Sequence, residues 1–123
     1  MLPMIVFLLN VTAPGAQANG RTIPILENTQ GPYLVEIRSS HPTPSIGKLH
    51  LNIVLWTLEA IEPVNHATVS IKALGPGTEP LILGPFDAYK TPIYSNWYEF
   101  NIELYKEGEW VFTVDISEEE SLT

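Results

Sequence analysis

The sequence predicts an all-β fold, an antiparallel immunoglobulin-like β-sandwich of about seven short strands, in a chain of 123 residues. Three observations carry this. Apolar side chains recur at every second position in five separate stretches. Gly and Pro fall between those stretches rather than within them. From Arg21 onward no window of a dozen residues keeps a helical apolar period. A flattened barrel is the alternative arrangement of the same strands.

The five strong stretches run as follows. Tyr33, Val35 and Ile37 share one face, with Glu36 and Arg38 on the other. Leu49, Leu51, Ile53 and Leu55 alternate with His50 and Asn52. Ala67, Val69 and Ile71 alternate with Thr68, Ser70 and Lys72. Tyr98, Phe100, Ile102 and Leu104 alternate with Glu99, Asn101 and Glu103. Trp110, Phe112, Val114 and Ile116 alternate with Val111, Thr113 and Asp115. Each reads as a strand with one dry and one wetter face. Together they turn 18 apolar side chains inward, enough for one sandwich core.

Two weaker stretches complete the set. Thr22–Leu26 contains Pro24, which cannot donate to a ladder, so it belongs at an edge. Leu81-Ile82-Leu83, between Pro80 and Gly84-Pro85, reads as a brief edge strand or as part of a loop. Lys106-Glu107-Gly108 reads as the tight turn of a hairpin joining the last two strands. The stretch from Gly75 to Asn96 reads as one long loop, where function commonly resides on a rigid sandwich.

The N-terminal segment has a different character. Met1–Val11 is almost wholly apolar, and no charged residue precedes Arg21. Ala16-Gln17-Ala18 has the small-x-small form of a signal-peptidase site. The expectation is a secretory signal peptide or N-terminal hydrophobic segment over residues 1–18, although a basic n-region is missing. The alternatives are an ordinary buried strand and an uncleaved anchor. Residues 19–30 follow as linker and edge strand, 31–117 as the sandwich, and 118–123 as an acidic tail. No C-terminal anchor is expected. These features predict an extracytoplasmic protein, secreted, periplasmic or cell-surface, touching a membrane only through the N-terminal segment if that is uncleaved.

Composition narrows the chemistry. Six Lys and Arg stand against 14 Asp and Glu, a net charge of −8, which is not the footprint of a nucleic-acid binder. With no Cys, disulfide scaffolds, thiolate metal sites and Cys nucleophiles are excluded. No Gly-x-Ser-x-Gly elbow, P-loop or dinucleotide fingerprint occurs. Glu99 and Glu103 lie four apart on one strand face, about 13 Å, wider than a glycosidase carboxylate pair. No catalytic residue is assigned, and the chain reads as a non-enzyme.

Two binding chemistries stay open. Imidazole suits Cu(II) or Zn, so His41, His50 and His66 are the metal-ligand candidates, although none lie at the spacing of a known motif. Trp97 and Tyr105 share the outward parity of Glu99, Asn101 and Glu103, an arrangement able to stack on a sugar ring or take a partner's side chain.

Residues 31–117 resemble the YtkA-like and FixH-like bacterial domains. The likeness rests on Tyr33–Ile37, on His41–Gly47 with Leu49–Leu55, on His66–Ile71 and, most specifically, on Gly108-Glu109-Trp110-Val111-Phe112-Thr113-Val114. It implies a small immunoglobulin-type sandwich outside the cytoplasmic membrane, and a link to copper handling near respiratory oxidases. It supplies no ligand set. The expected function is therefore an exported, non-catalytic binding or accessory module for a protein or small ligand. A copper-associated protein and a carbohydrate- or polymer-binding module are the alternatives.

Overall fold

The computed structural model describes residues 4–11, 22–41, 45–79, 81–90 and 94–118. The Ala16-Gln17-Ala18 site, the Pro42–Pro44 turn, Pro92 and the acidic residues after Glu118 lie outside them.

Among the described residues every regular element is a strand. They are β1 (Met4–Val11), β2 (Ile23–Gln30), β3 (Tyr33–Ser39), β4 (Gly47–Thr57), β5 (Ala67–Leu74), β6 (Ile82–Asp87), β7 (Tyr89–Lys90), β8 (Trp97–Leu104) and β9 (Gly108–Glu118). One sheet has the order β1-β9-β5-β6 and the other β2-β3-β4-β8-β7, with antiparallel pairing throughout. The described residues thus form nine strands rather than the seven read from the sequence. The two additions are β1 and the two-residue β7, and β6 with β7 gives strand structure to part of the Gly75–Asn96 stretch.

The inward faces are those the alternation predicts. Tyr33, Val35 and Ile37, then Leu49, Leu51, Ile53 and Leu55, are buried against Trp110, Phe112, Val114 and Ile116. Burial of this kind is the main force holding two sheets together. Proline shapes the predicted edge: β2 lies at the margin of its sheet, and its register with β3 shifts between Pro24 and Leu26.

The last two strands do not form a hairpin. β8 belongs to the five-stranded sheet and β9 to the four-stranded one, so the chain crosses the sandwich at Lys106–Gly108. A tight glycine turn serves a crossing as well as a hairpin, so local sequence does not separate them. Gly108 sits at φ 125°, and a Cβ there would lie 2.8 Å from Pro76 Cβ. The turn is fixed further by Trp110 Nε1, which donates to Lys106 O at 2.9 Å.

β1 is a built part of the sandwich. Ile5, Phe7 and Val11 enter the core, and the Phe7 ring stacks on Phe112 with centroids 5.1 Å apart. Met4, Val6 and Leu8 face outward and are about half exposed. The same segment cannot be both removed as a leader and packed as a strand in one molecule.

Candidate functional site

The most organised polar surface lies on the outer face of the five-stranded sheet. Strand alternation places Glu36 and Arg38 of β3, His50 and Asn52 of β4, and Trp97, Glu99 and Asn101 of β8 on that face. Register then sets neighbours. Arg38 lies opposite Asn52, Asn52 opposite Glu99, and Glu99 opposite Tyr89. His50 lies opposite Asn101.

These side chains form one connected ladder. Arg38 donates to Glu36 Oε1 at 2.6 Å, to Thr22 O at 2.7 Å and to Thr22 Oγ1 at 3.3 Å. Thr22 Oγ1 donates to Asn52 Oδ1 at 2.5 Å, and Asn52 Nδ2 donates to Glu99 Oε1 at 3.1 Å. His50 Nε2 lies 3.3 Å from the same Glu99 oxygen, and its Nδ1 is 2.8 Å from Asn101 Oδ1. Asn101 Nδ2 in turn donates to the Tyr89 hydroxyl. The network links β3, β4, β8 and β7, and Thr22, just ahead of β2, joins it from the fifth strand's side. Linked polar groups of this kind hold one another in place, since releasing one strands the next.

Aromatic rings flank the ladder. A turn closed by Trp97 N donating to Tyr94 O at 3.2 Å stacks the two rings, centroids 4.8 Å apart. Asn96 anchors that turn: its side chain donates to Leu55 O and its carbonyl accepts from Leu55 N, each at 3.1 Å. The Arg38 guanidinium lies 5.0 Å from the Trp97 ring centroid, a cation–π contact. Asn52 and Val54 are fully buried although they point to this outer face. Tyr94 and Tyr89 are the exposed rings, at 53% and 45%.

The predicted sugar-contact pair is not brought together. Trp97 and Tyr105 lie eight residues apart, about 27 Å along an extended chain. Trp97 is half-buried between Tyr94 and Arg38. Tyr105 sits beyond the other end of β8, its ring edge-on to Trp110 at 5.2 Å.

The histidines divide. His41 and His50 both lie at Ser40: its Oγ is 3.1 Å from His41 Nδ1 and accepts from His50 N at 3.3 Å. His66 is exposed ahead of β5, which belongs to the opposite sheet. Among the described residues no three of His, Cys, Asp and Glu gather in a metal-holding group.

The sequence assigns no site role to Thr22, Glu36, Arg38 or Asn52, and marks Tyr89 and Tyr94 only as aromatics off the inward face. Outward parity marks Glu36, Arg38 and Asn52 as polar-face residues. A basic residue two positions from Glu36 on that parity was the available signal for Arg38.

Among the described residues two groups carry displaced pKa values, and both face inward. Burial, and then the hydrogen bond to Glu118, holds the Tyr33 phenol well above its ordinary range. Burial also raises Tyr98, against a lowering contribution from the Ala67 amide that donates to its oxygen at 3.0 Å.

Comparison with family models, with curated proteins and with solved structures returns no match.

Proposed function

We propose that this chain is a non-catalytic binding module whose contact surface is the outer face of the five-stranded sheet. The observation that carries this reading is the ladder from Glu36 to Tyr89, pre-ordered by its own hydrogen bonds and flanked by the exposed rings of Tyr94 and Tyr89. A surface already held in position loses little freedom on binding. Exposed tyrosines offer apolar faces with polar tips, and the amides and carboxylates between them accept and donate hydrogen bonds. That combination suits a hydroxyl-rich chain such as a polysaccharide.

The distribution of titratable groups supports binding over catalysis. The displaced tyrosines are core-facing and have structural partners, Glu118 and Val64. The two ladder carboxylates are engaged by Arg38, Asn52 and His50.

The test is calorimetric titration with soluble cello-, xylo- and chito-oligosaccharides. Binding by at least one series is expected, weakened tenfold or more by Tyr94→Ala with unchanged thermal unfolding. No heat with any series, or binding indifferent to Tyr94→Ala and Tyr89→Ala alike, would reject this face as a sugar site.

A further inference from the structure

We propose that the edge of β9 is a strand-acceptor groove. Its ligand class is an extended, uncharged peptide segment with large apolar side chains at alternate positions. In this structure Met4–Val11 fills it.

The seated segment defines what the groove accepts. Eight consecutive residues, Met4 to Val11, pair one for one with Asp115 to Gly108. Backbone hydrogen bonding supplies affinity in such an arrangement, and pockets for alternate side chains supply selectivity. The pockets here are filled by Ile5, Phe7 and Val11, with Phe7 stacked on Phe112. The outward residues Met4, Val6 and Leu8 are exposed and contribute little selectivity. No residue of the segment is charged.

β1 is an edge strand of its sheet, with one strand neighbour, β9. On its other side a cleft of about 520 Å³, lined by Phe7, Leu9, Ile25 and Leu26 among others, separates it from the edge strand β2 of the opposite sheet. The covalent link runs through Ala16-Gln17-Ala18, the sequence that has the form of a signal-peptidase site. Cutting there turns an intramolecular strand into a replaceable one and leaves the β9 edge open to a strand of another polypeptide.

Of the edge strands, β2, β6 and β7 are unsuited to strand addition. β2 carries Pro24, Glu27 and a register shift, β6 carries Pro85 and another shift, and β7 has two residues. Proline, charge, irregularity and shortness are the usual protections of a sheet edge. β9 runs eleven residues without proline.

The experiment uses the full chain with a protease recognition sequence inserted between Ala18 and Asn19, folded and then cut. The probe is a fluorescent peptide of Met4–Val11 with terminal lysines for solubility. The expected result is one-to-one uptake of the probe, by exchange or by refilling an emptied groove. Uptake should fall about 100-fold or more for a probe with Asp in place of Phe7, and little for Asp in place of Leu8. A cut chain that unfolds and is restored by the probe gives the same support. Two results would overturn the proposal: no uptake, or equal uptake of both Asp probes.

Discussion

The Tyr33 hydroxyl, at the start of β3, donates to Glu118 Oε1 at the end of β9 at 2.5 Å, so one hydrogen bond ties the two sheets. Its consequence is a dependence of stability on alkaline pH. The unfolded phenol loses its proton near pH 10. The folded phenol, buried and bonded to a carboxylate, keeps its proton to much higher pH. Between these points the folded state binds one proton more than the unfolded state. Stability is therefore full below about pH 10 and falls above it by about 1.4 kcal/mol per pH unit for this group. Urea denaturation from pH 8 to 12 measures the slope. Tyr33→Phe should flatten it, leaving the contribution of Tyr98, which is raised in the same direction. An unchanged slope in Tyr33→Phe would contradict the assignment.

A second prediction concerns β1. Phe7 is buried and stacked on Phe112, whereas Leu8, its neighbour, is 55% exposed. Truncating a buried Phe costs about 3–5 kcal/mol, and a surface substitution typically less than about 0.5. Phe7→Ala should lower the urea midpoint sharply, and Leu8→Ser should barely move it. A chain beginning at Asn19 loses Ile5, Phe7 and Val11 from the core, about 5–9 kcal/mol in transfer terms, comparable with a whole domain's stability. It should lose cooperative thermal unfolding unless a replacement strand is supplied. Equal midpoints for Phe7→Ala and Leu8→Ser would remove β1 from the folded core.

The contrast between β1 and β3 shows what was legible in sequence. In Tyr33–Ser39 apolar and polar residues alternate, so the inward set can be read directly, and Tyr33, Val35 and Ile37 are indeed buried. In Met4–Val11 nearly every residue is apolar, so parity is invisible, and an h-region and a core strand look alike. The Gly108 turn fitted a hairpin or a crossing equally, because the choice depends on where β5 pairs with β9. The ladder was hidden for a related reason. Alternation says which face Arg38, Asn52 and Glu99 occupy, but only register makes them adjacent.

The contact between Arg38 and Trp97 yields a third prediction. Arg38 holds Glu36 and Thr22 while lying over the indole ring. Arg38→Met keeps much of the aliphatic stem and removes the charge and three hydrogen bonds. Its cost should be about 1–3 kcal/mol, because Glu36 and Thr22 lose a charged partner. A double-mutant cycle with Trp97→Leu should return a coupling of about 0.5–2 kcal/mol, the range for a partly shielded cation–π pair. Additive losses would mean that the guanidinium and the ring are neighbours without interaction.

The histidines support a fourth prediction, on copper. Both ring nitrogens of His50 are already engaged, by Asn101 and Glu99, and His41 Nδ1 lies against Ser40 Oγ. His66 approaches the fold from the opposite sheet. Capturing Cu(II) would require His50 to exchange at least one partner and would disturb the ladder beside Trp97. One equivalent of Cu(II) should therefore leave tryptophan emission unchanged at neutral pH. The competing result is stoichiometric quenching that disappears in His50→Ala and survives in His66→Ala. That outcome would place the metal at the Ser40 end of the outer face, with His50 and Glu99 as its first ligands.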